Sequence, residues 1–233
     1  MTKDSKDFRI ILAVDSTYMN ESFWSQLTSD YARFLARSFE RMDCEVSKQF
    51  VCCSRHNRME ALTASPWFSR QYKELQEFAD AVQGSPCDFD IPEIFRYALE
   101  TAEQTPLHGL VIFAATQRQR GKAKAVENEI RPLAQRLKAL GVTVFIFDNA
   151  DEYNMVSSHI SSQFDKAATW ANGLHVSFHS ENLRTLYEYM KLVGPVVAGD
   201  LAALKKQSGD LITVHGNNLF RKCIIRLDPG GKK

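Results

Sequence analysis

Carboxylates and a short cationic run are the residues whose types and spacing could do chemistry. Asp15 closes the apolar run Phe8 to Val14 and opens the polar turn Asp15-Ser16-Thr17. Asp88 and Asp90 flank Phe89 just before a helical pattern, and Asp148 follows the apolar run Val142 to Phe147. Carboxylate oxygens are hard donors of the kind Mg²⁺ takes, and two-metal chemistry needs several of them converging. Arg118, Arg120, Lys122 and Lys124 fall in one segment, Thr116 to Lys124, which suits a phosphate or an acidic protein surface. Each of these residues also has a plainer role. Asp15 fits a turn or helix N-terminal carboxylate, Asp88 and Asp90 fit caps of the helix that begins at Ile91, and the basic run fits a solvated loop.

Other reactive patterns are incomplete. The chain holds no G-x-S-x-G, Walker A loop or G-x-G-x-x-G. Cys52, Cys53 and His56 lack a second Cys/His pair at zinc-ligand spacing, so they read as core and surface residues of a strand. His175 and His179 share a strand face but have no carboxylate nearby in sequence, so they read as structural. Tyr18, Met19, Phe23 and Trp24 crowd the start of the first helical pattern, and any left exposed there form an apolar contact patch.

The elements that must position these residues alternate from end to end. Phe8 to Val14, Gly109 to Ala115 and Val142 to Phe147 are short apolar runs of buried strands, Cys44 to Cys53 is a second or edge strand, and His175 to Phe178 a short one. Helical stripes cover Glu21 to Arg41, Gln71 to Val82, Ile91 to Ala102, Ala123 to Leu140 and Val156 to Trp170. A last helix starts near Ser180, and Gly194-Pro195 should end it. Alternating strands and helices predict an α/β Rossmann-like three-layer sandwich with a mainly parallel central sheet. Ligands of such sheets sit beyond the carboxyl ends of the strands. The functional rim is therefore expected at Asp15 to Asn20, Ser85 to Asp90 and Ala115 to Lys124.

Composition bounds the rest. The 233 residues carry a formal charge of +1, so the molecule as a whole is no electrostatic binder of nucleic acid or membrane. The odd number of cysteines, 5, and the polar start MTKDSKDF point to a reducing cytoplasm without a signal peptide or membrane contact. Residues 1–200 read as the α/β domain. Residues 201–233 read as a basic extension, a hairpin or partly ordered arm. That extension sets Lys205, Lys206, Arg221, Lys222, Arg226, Lys232 and Lys233 against Asp210 and Asp228.

Several pieces resemble the von Willebrand factor A (VWA) family, in particular its small bacterial stand-alone members. They are the strand ending in Asp15-Ser16-Thr17, Trp67 ahead of the second helix, the strands Leu110 to Phe113 and Val142 to Phe147, and the small-residue region Val197 to Leu204. The resemblance spans roughly residues 8–205. It implies a metal-ion-dependent adhesion site fed by three loops: Asp-x-Ser-x-Ser after the first strand, a Thr before the third helix and an Asp after the central strand. Asp15 and Thr17 match the first two donors. Met19, Phe89 and Ala115 stand where the second Ser, the Thr and the Asp belong, and a thioether, a phenyl ring and a methyl group are poor Mg²⁺ ligands. The resemblance thus implies a degenerate site with no cofactor. Asp15 and Thr17 remain as donors, Asp88 or Asp90 joins after a one-residue shift, and Thr116 offers a further oxygen.

Two functions follow as expectations. One is a non-enzymatic scaffold or adaptor that binds a protein partner, without metal, through a rim bearing Tyr18, Thr116, Arg118, Arg120 and Lys122 beside Asp15, Thr17, Asp88 and Asp90. The other is a metal-dependent nuclease-like or nucleic-acid-binding protein using Asp15, Asp88 and Asp90 with the basic loop Arg118 to Lys124, joined by Asp148 and the C-terminal tail.

Overall fold

The computed structural model of the chain describes residues 7–15, 39, 42, 44–56, 59–69, 77–78, 82, 89–114, 123–149, 158–178 and 183–229. Among the described residues six strands form one sheet: β1 (Asp7–Val14), β2 (Glu45–His56), β3 (Met59–Ala64), β4 (Gly109–Ala114), β5 (Thr143–Asn149) and β6 (Leu174–Phe178). Their order is β3-β2-β1-β4-β5-β6. All neighbours are parallel except β3, which folds back on β2 as an antiparallel edge. The described helices are labelled α1 (Ile91–Gln104), α2 (Ala123–Ala139), α3 (Ser158–Trp170), α4 (Leu183–Ala198), α5 (Leu201–Lys206) and α6 (Val214–Leu227), with a 3-10 turn at Ser208–Asp210.

Strand alternation sorts the core into two layers. Phe8, Ile10, Leu12 and Val14 of β1 join Val111, Phe113, Phe145 and Phe147 in an apolar cluster that α4, α5 and α6 cover. Ile11 and Ala13 join Leu110, Ile112, Val144 and Ile146 on the other face, under α1, α2 and α3. Because both faces are covered, the central strands are continuous apolar runs rather than alternating ones. The expected three-layer α/β sandwich is the observed fold. Phe39, Phe78 and Val82 are helical and buried against the first cluster. Most of the helical patterns Glu21 to Arg41 and Gln71 to Val82 lie outside the described residues.

Three elements depart from the sequence expectation. Met59–Ala64 (MEALTA) is rich in helix formers and gave no strand signal, yet it pairs with β2 from Val51↔Ala64 to His56↔Met59. Cross-strand pairing overrides local preference here. α4 does not stop at Gly194-Pro195 but runs through it to Ala198. Val193 and Val196 on either side of the proline are buried in the core, and their burial offsets the lost backbone bond. The helix ends one residue later than Ala198 at Gly199, whose φ of 67° is left-handed.

The third departure is the C-terminal segment. The hairpin or partly ordered arm expected over 201–233 is, over 201–227, helices α5 and α6 joined through the 3-10 turn. Leu204, Leu211, Leu219 and Cys223 are buried in the same cluster as β1 and β5. Leu219, Cys223 and Leu227 recur every fourth residue, the helical stripe that the β-branched pair Ile224-Ile225 had masked.

Glu188, 1% exposed on α4, fixes the start of α6. Its carboxylate accepts the backbone N–H of Ile212 at 3.1 Å and the hydroxyl of Thr213 at 2.5 Å. The Thr213 hydroxyl in turn accepts the N–H of Gly216. A Cβ on Gly216 would lie 2.0 Å from Glu188 Oε2, so a larger residue there would push the carboxylate from its place beside Thr213.

His108 clamps the amino ends of the central strands. It lies just ahead of β4, donates its N–H to Arg9 O at 2.9 Å and accepts the N–H of Thr143 at 3.0 Å. Its Nδ1 also accepts the Arg9 N–H at 3.1 Å, which requires an unprotonated nitrogen. Burial first, and then the Arg9 charge, hold the His108 pKa below its ordinary 6.5. The unfolded chain therefore takes up a proton that the folded chain resists. The stabilisation is full above the unfolded value and is lost as pH falls below it. Urea unfolding at about pH 7.5 and about pH 5.5 should show a loss of stability at the lower pH that shrinks in His108→Asn. Equal losses in the two proteins would contradict this role for His108.

Candidate functional site

The sheet's crossovers reverse between β1 and β4, which places the crevice of a doubly wound sheet at the carboxyl ends of these two strands. Asp15 stands there. Its N–H donates to Phe113 O at 2.8 Å, extending the β1–β4 pairing past Val14, and the residue is 2% exposed. Asp90 is also 2% exposed and holds the N-cap position of α1. Its carbonyl accepts the N–H of Ile94, but its side chain makes no capping hydrogen bond. The carboxylate cap expected at this helix is thus a backbone one only, and the Asp90 side chain belongs to the buried rim.

The neighbouring positions bear on a cation pocket. Phe89, which the sequence resemblance sets at the Thr position, is 0% exposed inside the apolar cluster beneath α1. Its ring is a core element with no donor atom. Ala114, the last residue of β4, is buried in the same cluster. Among the described residues no three His, Cys, Asp or Glu side chains come together as a metal-holding group. Asp15 therefore suits a hard cation and Phe89 does not. Thr17, Tyr18, Met19, Asp88, Ala115, Thr116, Arg118, Arg120, Lys122 and Lys124 lie outside the described residues.

A second polar cluster was missed by sequence reasoning. Asp148, near the end of β5 and 2% exposed, lies opposite Ser177 of β6. Its Oδ2 is 3.4 Å from the Ser177 hydroxyl and 3.6 Å from His175 Nε2. His175 Nδ1 lies 3.6 Å from Asp165 Oδ1 on α3, and the Phe164 ring meets the imidazole edge to face. His175, read as a histidine without a carboxylate partner, thus stands between two carboxylates. They are 27 residues before it and 10 residues before it, brought together by the β5–α3–β6 crossover, so local spacing gives no signal of the cluster. His179 lies outside the described residues.

The chemistry of this cluster is that of a lock. It brings side chains of two strands and a helix together where neither Asp148 Oδ1 nor His175 Nε2 has a hydrogen-bond partner among the described residues. Breaking one partner leaves the other buried and uncompensated. His175→Ala should lower the free energy of unfolding by about 2 kcal/mol, and adding Asp148→Asn should restore about 1 kcal/mol of it. A urea double-mutant cycle measures this coupling, and strictly additive losses would count against the pair.

Neither a protein-family model nor a curated protein matches the chain. Solved structures do. The crystal structure of the SpRpn10 VWA domain superposes with a TM-score of 0.53 at 13% identity, over 79% of this chain and 95% of that one. The pilus adhesin SpaC from Lactobacillus rhamnosus GG gives a TM-score of 0.60 at 10% identity, over 85% of this chain. Its open conformation gives 0.58. The chain spans 31% of the adhesin's length. At such identities the likeness speaks for architecture, and with the strand order and the two-sided core it shows that this chain has the fold of a von Willebrand factor A domain.

Proposed function

We propose that the protein is a non-enzymatic interaction module that binds a protein partner at the carboxyl-end rim of its sheet, without a bridging cation. The observation that carries the reading is the burial of Phe89. A phenyl ring sits in the core where the resemblance calls for a hydroxyl donor, while Asp15 remains at the tip of β1. The structural neighbours support the first half of the reading: one is an adhesin by name, and all share the VWA architecture. The partner side of the rim is assigned to Tyr18, Thr116, Arg118, Arg120 and Lys122, with Asp15, Thr17, Asp88 and Asp90 beside them. The cationic stretch from Arg118 favours an acidic partner surface.

A second reading, a metal-dependent nuclease-like or nucleic-acid-binding protein, draws on the buried carboxylates Asp15 and Asp148, at the carboxyl ends of β1 and β5, and Asp90, at the amino end of α1. It calls for convergence of these groups with Asp88 and a phosphate held by Arg118 to Lys124. It takes second place because the Asp148 carboxylate is engaged with His175 and Ser177.

In cross-linked capture from the native cytosol, the same partner should be recovered with and without EDTA and lost when Arg118→Glu and Arg120→Glu are combined. Release of the partner by EDTA would contradict metal independence. Unchanged capture by the double variant would contradict the placement of the contact. Cleavage of RNA or DNA with Mn²⁺, abolished by Asp15→Asn, would establish the second reading.

A further inference from the structure

The large apolar side chains exposed among the described residues are Leu140, Ile212, Val214 and Ile225, and the last three gather at α6. They are 62%, 73% and 67% exposed, more than Leu140. Ile212 directly precedes the N-cap Thr213. Within α6, Val214, Asn218, Arg221 and Ile225 follow at four, three and four residues, so they share one face, and all are exposed. Lys222, also exposed, borders that face. The opposite face carries Leu219 and Cys223 into the core. The solvent arc thus holds two aliphatic side chains about 16 Å apart along the axis, with cations between them.

The helix VHGNNLFRKCIIRL contains no acidic residue. Lys205 and Lys206, at the end of the adjoining α5, are exposed as well. A merely solvated face mixes charges of both signs and does not gather exposed aliphatics. The helix is also held firmly. Glu188 fixes its start, the Lys222 ammonium donates to His175 O at 3.1 Å, and Arg226 donates to Thr143 Oγ1 at 3.3 Å. Thr143 and His175 lie in the amino-terminal parts of β5 and β6, so this end of α6 faces away from the rim.

We propose that the exposed face of α6 is a second docking surface, built for an acidic amphipathic helix of a partner protein. Charge complementarity selects that occupant. A second copy laid face to face would set Arg221 and Lys222 against their own like charges. Nucleic acid would use the cations and leave Ile212, Val214 and Ile225 uncovered. A bilayer surface calls for a broader apolar stripe with aromatic anchors, which this face lacks. An acidic amphipathic helix meets both features: its aliphatic row covers Val214 and Ile225, and its carboxylates reach Arg221 and Lys222. A prefixed, rigid helix on this side lowers the ordering penalty of binding. The proposal is independent of what the rim binds.

The probe is a labelled synthetic helix of about 18 residues with a leucine row flanked by glutamates, titrated with the full chain by fluorescence anisotropy. Saturable binding is expected, weakening about 10-fold as NaCl rises from about 0.05 M to about 0.3 M. Val214→Ser with Ile225→Ser, and separately Arg221→Glu, should each weaken it by about 10-fold or more while circular-dichroism melting stays unchanged. The single variant Ile225→Ser gives the same test should a double variant fold poorly. Absence of saturable binding, or binding indifferent to these variants, overturns the proposal. Equal binding of a peptide with serine in place of leucine overturns it in favour of bare electrostatics. Co-sedimentation with phosphatidylserine vesicles that Arg221→Glu abolishes overturns it in favour of a membrane. A dimer in sedimentation equilibrium that Ile225→Glu disperses overturns it in favour of self-association.

Discussion

The parallel pairing of β1 with β4, in register from Ile10↔Gly109 to Val14↔Phe113, joins the two halves of the sheet, and both faces of it are sealed from water. Parallel ladders are found almost only where both sides are covered, so this pairing calls for helices on each face and for apolar residues along the paired stretches Ile10 to Val14 and Leu110 to Phe113. It is clamped at one end by His108 and prolonged at the other by Asp15. The rim geometry is a consequence. Asp15 is held by backbone pairing to β4, and Phe89 and Ala114 belong to the core. A cation pocket needs several oxygen donors facing one point, and the buried Phe89 ring supplies none.

The sequence disclosed what local patterning controls. β1, β4 and β5 were legible because two-sided burial leaves an unbroken apolar run, and α1, α2 and α3 because their stripes are three to four residues apart. The edge strand β3 was not legible, since MEALTA is helical by composition and strand-like only when β2 lies beside it. α4 was cut short by the usual rule for proline, and the buried Val196 beyond Pro195 overrode it. The helices of the tail were not legible because their anchors, Leu219 and Cys223, are isolated apolar positions in a basic stretch. At the site, Asp15 and Asp90 could be placed by counting from the strand and the helix. The His175 cluster could not be placed, because its partners arrive through a crossover.

Two surfaces of different character emerge on one frame. At the carboxyl ends of β1 and β4 the described rim residues are Asp15 and, ahead of α1, Asp90. The α6 face is a single preformed helix with aliphatic and cationic side chains and a core-anchored back. If both proposals hold, the two contacts are separate, one over the strand tips and one along α6. No described helix is long and apolar enough to cross a membrane.

The central claim is that the Asp15 rim does not hold a cation. Thermal unfolding with and without about 10 mM Mg²⁺, in the wild type and in Asp15→Asn, tests it most directly, because a ion that binds only the folded chain must raise its melting temperature. The account predicts superimposable curves with and without the ion. A saturable upward shift in the wild type that Asp15→Asn abolishes would contradict it.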